Sequence, residues 1–266
     1  MTTFDRSEAE KLATEALPKL SAEAESKPLS MYLLSCLYRS GLGVPKDLHQ
    51  AFRLSSQAAS NGEKAAYRGL SWAYFLGEGV QKDEAKSLEW ARKAADAGDT
   101  DMMLNVSGGY EEGRVLKRSL AASMYYLEKA ARAGNPEAMR RYSERLAYPP
   151  PMTYTYSQRT PAKAMREESF GWLVKSAEAG NQMAMTVLSL EYEGVGSRVR
   201  ADRKKAFEWS KKAAASGLPA AIACLSRLYR FGVGCKQNEE EADRLLEQAK
   251  EPRKNNLINY LRGRMV

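Results

Sequence analysis

The chain has 266 residues, 44% of them apolar and 28% charged, with a net charge of +8. That composition can build a core and argues against disorder, and no run approaches the ~18 uninterrupted apolar residues of a membrane helix. Three cysteines (Cys36, Cys224 and Cys235), odd in number and irregularly spaced, do not read as a disulfide framework. The opening residues, Met1 to Arg6, show no basic segment leading into an apolar stretch. The expected location is therefore cytoplasmic, with a periplasmic one as the alternative if an export signal has been removed.

Taken in order, Ser7–Glu25 reads as helical with a break at Pro18. Residues 1–26 are expected to form a helical cap, because the chain beyond them repeats itself. Tyr38, Tyr74 and Tyr110 lie at a constant interval, as do Ala58-Ala59, Ala94-Ala95 and Ala130-Ala131, and Gly62, Gly98 and Gly134. Later copies supply Gly180, Tyr192, Ala213-Ala214, Gly217 and Tyr229. Such a period marks a repeat architecture, with residues 27–250 forming the array.

Each unit reads as two helices. The first ends near the tyrosine, as in Ala65–Phe75 and Ala220–Arg230, and carries a serine three residues earlier: Ser35, Ser71, Ser107, Ser143, Ser189 and Ser226. A small side chain there lets a neighbouring helix approach closely. A glycine-rich turn comes next, as at Gly77-Glu78-Gly79 and Gly232-Val233-Gly234, where the chain must leave the helix through left-handed angles. The second helix opens on Asp47, Asp83, Ser119, Asp202 or Asn238 as N-cap. Its buried stripe carries Phe52, Trp90, Tyr126, Trp172, Phe207 or Trp209. No strand-type alternation survives beside this helical period.

The run from Tyr74 to Asp83 and on through Trp90, Lys93, Ala94, Ala95 and Gly98 resembles the Sel1-like repeat, a relative of the tetratricopeptide repeat. The resemblance covers about five copies and a sixth partly formed. It implies an all-α, right-handed α-solenoid whose concave face binds proteins, with members acting as adaptors and regulators, often bacterial, including toxin immunity. It implies no catalytic residues.

The fourth copy is interrupted. Its first helix reads Pro136–Tyr148 with Leu146 at the tyrosine position, and Gly180 is displaced by extra residues. They fall near 147–160, where Pro149, Pro150 and Pro151 cannot continue a helix. Thr160 and Pro161 are suited to restart one. This insertion, rich in aromatics and poor in charge, is a candidate partner-binding element through Tyr148, Met152, Tyr154, Tyr156 and Arg159. Beyond Pro252, residues 251–266 are expected to seal the last copy through Leu257, Ile258 and Leu261, with a basic tail after them.

In repeats of this type the first helices line the concave wall. The positions six and two before the tyrosine, and one after it, then supply the candidate surface: Tyr32, Arg39, Arg68, Trp72, Phe75, Arg140, Glu144, Arg227 and Arg230. Tryptophan, tyrosine and arginine most often dominate interface energy, and the arginines suit a partner of acidic character. Conventional catalysis finds no support: His49 is the one histidine, a zinc site lacks ligands, and the Gly-x-Gly turns come after helices rather than strands. No cofactor is expected.

The alternative is a nucleic-acid-binding array. The first 133 residues hold 18 basic and 18 acidic side chains and the remainder 23 and 15, so the net charge lies in the second half. There Arg198, Arg200, Arg203, Lys204, Lys205, Lys211 and Lys212 form a basic stretch. No recurring base-reading position accompanies it. The reading that emerges is a non-enzymatic adaptor that holds a protein or peptide, in its narrowest form a bacterial effector-immunity or chaperone-like partner.

Overall fold

The computed structural model describes residues 6–148, 162–195 and 198–250. Among them are thirteen helices and no strand. They group into two compact units, Met1–Tyr126 and Leu127–Val266. The insertion residues Met152, Tyr154, Tyr156 and Arg159, the Thr160-Pro161 restart and the segment 251–266 lie outside the described residues.

In the first unit, α1 (Arg6–Glu23) packs on α2 (Pro28–Ser40), which packs on α3 (Leu48–Ser60). Next come α4 (Ala65–Leu76), α5 (Glu84–Asp96) and α6 (Thr100–Glu112), each against its predecessor, and α7 (Leu120–Arg132) begins within this unit. The second unit holds α8 (Pro136–Ala147) and α9 (Ala162–Glu178) as one pair, α10 (Gln182–Glu193) and α11 (Arg203–Ala215) as the next, and α12 (Pro219–Phe231) with α13 (Glu239–Lys250) as the last. One expectation fails here: α1 runs through Pro18 without a break. Proline removes one backbone donor, and Thr14, whose carbonyl loses that donor, is exposed, so water can serve it.

The same closure is built into the repeats. The helix-ending glycines Gly41, Gly77, Gly113, Gly194 and Gly232 all take left-handed angles. The chain then turns so that the N–H of the next N-cap donates to the carbonyl of the repeat tyrosine: Asp47 to Tyr38, Asp83 to Tyr74, Ser119 to Tyr110, Asp202 to Tyr192 and Asn238 to Tyr229, all at 2.7–3.0 Å. Each cap side chain in turn accepts from an N–H three residues on. The tyrosine ring leans on an aromatic of the preceding second helix. Phe52 meets Tyr74, Phe170 meets Tyr192 and Phe207 meets Tyr229 edge to face, with centroids 5.2–5.7 Å apart.

The serine row is buried throughout, as a close helix approach requires, and its hydroxyls also bond across helices. Ser87 Oγ donates to the Ser71 carbonyl at 2.9 Å, Ser107 Oγ to the Ser123 carbonyl at 2.9 Å, and Ser169 Oγ to the Ser143 carbonyl at 2.8 Å. Ser189 and Ser226 donate to the carbonyls of Ala206 and Ala242. Each pair of helices is thus clasped by a hydroxyl where an apolar contact alone would leave the register free to slide.

The second glycine of the turn has a different role from the first. A Cβ on Gly79 would stand 2.0 Å from the Leu48 carbonyl oxygen, and one on Gly234 would stand 1.9 Å from that of Arg203. Those atoms belong to the start of the preceding repeat's second helix, so only a bare backbone fits. Gly43 lies less tightly against the backbone of Ala13 and Thr14, where a Cβ would stand 3.0 Å from the Thr14 nitrogen, and α1 thereby takes the place of a predecessor for the first repeat. At the other end, α13 places Asp243 where Phe52, Phe170 and Phe207 stand in earlier copies. The last helix is therefore itself polar on the side that elsewhere receives another repeat.

Candidate functional site

The first-helix positions of the first unit present apolar side chains to solvent. Trp72 is 37% exposed and Phe75 43%, and their rings meet edge to face with centroids 5.8 Å apart. Both project from α4 although Leu70 and Ala66 of the same helix are fully buried. Leu33 of α2 and Leu76 of α4 are also exposed. The Nζ of Lys82 lies 5.5 Å from the Phe75 centroid. Tyr32 is half-buried against the core of Met31, Ala58 and Leu70. Burial, with the Cys36 thiol beside it, pushes its hydroxyl up to about 12.

The arginines are engaged to different degrees. Arg68 donates to both oxygens of Asp99 at 2.6 and 2.7 Å and contacts Asp101 at 3.0 Å. Asp99 is the N-cap of α6, so this contact pins α4 to the start of the next first helix. Arg140 is held between Glu137 and Glu144, the latter another candidate residue. Arg227 grips Glu193 with two nitrogens, and Arg230 pairs with Asp243. Among the described residues, Arg39 alone of the five makes no ion pair. It lines a cleft with Tyr32, Cys36, Gly69 and Glu78. Tyr148, at the edge of the insertion, is 68% exposed.

Two residues outside the candidate set form the most unusual contact of the second unit. The side chains of Arg198 and Glu191 are each only 5% exposed, with Nε 3.1 Å from Oε1. That contact is an ion pair rather than an aligned hydrogen bond. The Arg198 backbone N–H donates to the other carboxylate oxygen, and Nη1 donates to Ser143 Oγ at 2.9 Å and Ser169 Oγ at 3.3 Å. The guanidinium stands 5.8 Å from the Tyr148 centroid. Arg198 therefore reaches back from its own repeat into the interrupted one. One signal pointed this way: Glu191 occupies a register position that holds Leu37, Ala73 and Leu228 in other copies, and a buried carboxylate there requires a cation.

This burial corrects the basic stretch read from the sequence, because Arg198 is unavailable to a polyanion. Lys205, Lys211 and Lys212 stand over the rings of Tyr192, Phe207 and Trp209, the ordinary packing of lysine stems on a helical surface. The nucleic-acid alternative finds no support. Among the described residues no group of metal-ligating side chains converges, and no helix is long and apolar enough to cross a membrane.

Comparison with known proteins leads to the same family. The Sel1 repeat model matches six consecutive segments: 28–63, 64–99, 100–135, 136–181, 182–218 and 219–251. No curated protein matches the chain. Among solved structures, a protective antigen present in uropathogenic Escherichia coli strains and displaying an SLR fold is 28% identical, with a TM-score of 0.76. The alignment covers 92% of this chain but only 50% of that one, so the present chain spans half its length. A Sel1 repeat protein from Oxalobacter formigenes is 23% identical over 94% of this chain and 99% of its own, with a TM-score of 0.72. An immunity protein from Pseudomonas aeruginosa is 19% identical over 84% and 79% of the two chains, and its TM-score of 0.47 is too low to carry functional meaning. Six matched copies, one closure scheme repeated in phase and no strand among the described residues place the chain in the Sel1 repeat family.

Proposed function

We propose that this protein holds a partner protein or peptide on the first-helix face of its first two repeats, with Trp72 and Phe75 as the anchor. Sel1 repeats are a protein-interaction fold, generally non-enzymatic. The observation that carries the location is the exposure of an edge-to-face Trp72–Phe75 pair on a helix whose other large apolar residues are mostly covered. Aromatic residues of this kind carry a large share of binding energy once a partner desolvates them. The narrower role of occluding a bacterial effector, as an immunity or chaperone-like protein, belongs to the same proposal and rests on the family resemblance. A cytoplasmic setting fits the three free cysteines.

The test is affinity purification with mass spectrometry from cells that naturally produce the protein, using the parent chain and a Trp72→Ala/Phe75→Ala double variant. One stoichiometric protein is expected with the parent and its loss with the variant. Truncating two central anchors should weaken the complex by about thirtyfold or more, roughly 2 kcal/mol. Retention of the same protein by the double variant would place the interface elsewhere.

A further inference from the structure

The first helices of consecutive repeats meet in a fixed register. Arg227 and Glu193 show it: the residue one after the repeat tyrosine meets the residue two before the next one. By sequence position Arg39 and Trp72 correspond to that pair in the first unit, and Phe75 and Gly108 correspond to it in the next repeat. Where the last two repeats have a bidentate ion pair, the second and third therefore have an aromatic ring opposite no side chain. A Cβ built on Gly108 would find nothing within 4 Å, so Phe75 does not fill the gap. The backbone of Gly108 is not left-handed, so its conformation does not demand glycine, and a glycine inside a helix costs helix stability. What remains is an open notch over Gly108 beside the exposed rings of Phe75 and Trp72.

The charges around this face are unequal. Arg68 is already shared between Asp99 and Asp101. Arg39, one repeat back, makes no ion pair among the described residues and stays half-buried beside the cleft of Tyr32 and Gly69. Glu78 lines the same cleft but forms no ion pair with Arg39, and a partly desolvated guanidinium not engaged by a carboxylate is complementary to an acid. We infer that the occupant of this face is an acidic peptide segment that seats one bulky apolar side chain in the notch over Gly108 and sets a carboxylate on Arg39. Arg39 and Gly108 lie on first helices two repeats apart, roughly 20 Å at one helix spacing per repeat. This rests on the first-helix face being the binding surface and adds the chemistry of what binds there.

The probe is a set of fluorescent synthetic peptides, each with one aspartate and one leucine or phenylalanine separated by glycine–serine spacers of varied length. Binding to the full chain is read by anisotropy. One spacer length is expected to bind best, and its affinity should fall about tenfold or more in Gly108→Leu and in Arg39→Glu. Melting temperatures should not fall below the parent value, since a side chain at Gly108 points into open space and a glycine inside a helix is itself destabilising. Replacing aspartate by lysine in the peptide should abolish binding to the parent and restore it in Arg39→Glu. Absence of binding by every peptide overturns the proposal, as does equal binding by peptides lacking the carboxylate or the apolar residue. Sensitivity to Trp72→Ala without sensitivity to Gly108→Leu or Arg39→Glu keeps the interaction face and removes the notch and the acid contact. Insensitivity to all of these variants removes the face as well.

Discussion

The second repeat and the fourth close the same kind of helix pair with different chemistry. In the second, a Gly-x-Gly turn lays bare backbone against the start of α3, and Tyr74 leans on Phe52. No charge needs to be buried. In the fourth, prolines stand where the glycine turn would be, and Arg198 arrives from the next repeat to bridge Ser143, Ser169 and Glu191 beneath Tyr148. The comparison shows what the glycines accomplish: they let two repeats touch backbone to backbone without burying a charge. The fourth repeat's helix pair is instead bridged by a buried ion pair whose desolvation must be offset by further hydrogen bonds.

The largest expected effect comes from breaking the fourth repeat's device. Arg198→Met leaves Glu191 buried without its cation and should cost about 3–5 kcal/mol, read as a lowered urea midpoint. Adding Glu191→Leu, the residue type at Leu37 and Leu228, should recover most of the loss. A single variant as stable as the parent would mean that the pair is not needed for closure. Next in size is the regular turn. Gly79→Ala drives a Cβ into the Leu48 carbonyl from a left-handed backbone and should cost about 3 kcal/mol. Gly62→Ala has a similar φ but open space, and should cost only about 1–2 kcal/mol. Equal losses at the two glycines would show that conformation matters and inter-repeat contact does not.

The smallest effect concerns pH. Burial alone would raise the carboxyl of Glu137, but hydrogen bonds from Arg140, Arg141 and Asn181 and the nearby Arg140 charge bring it down to about 2. A depressed folded value stabilises the protein above the usual 4.5, and that contribution drains away as pH falls toward 2. Glu137→Gln should therefore be less stable than the parent at neutral pH and nearly equal to it near pH 2.5. Urea midpoints compared at the two pH values provide the measurement. The size is modest because the side chain is one-third exposed.

Much of the fold was legible because the period is a local signal. The N-caps Asp47, Asp83, Ser119, Asp202 and Asn238 all cap, and the helix read as Ala220–Arg230 runs from Pro219 to Phe231. Pro18 misled because a proline break depends on whether water can reach the freed carbonyl, which is a property of the surface. The site was less legible. The serine row reads as small filler, and nothing local reveals that its hydroxyls bond across helices. Arg68 and Arg227 look like free interface cations until the register brings Asp99 and Glu193 to them from more than thirty residues away. Arg198 sits among basic residues whose neighbours Arg200 and Arg203 are exposed, and only the folded positions of Glu191, Ser143 and Ser169 show that it turns inward.

The backbone contact at Gly43, Gly79 and Gly234 gives the array a direction of growth. Each such turn rests on the helix that precedes it, so a repeat needs support from its N-terminal side and lends support toward its C-terminal side. Removing α1 would leave the turn at Gly43 without a floor, whereas removing the final pair would strand no earlier turn. Tandem duplication can therefore lengthen such a chain at its C-terminal end more readily than at its start. One obstacle in this chain is Asp243: a further repeat tyrosine would meet a charge where Tyr74, Tyr192 and Tyr229 meet a phenylalanine, so extension would begin with a substitution there.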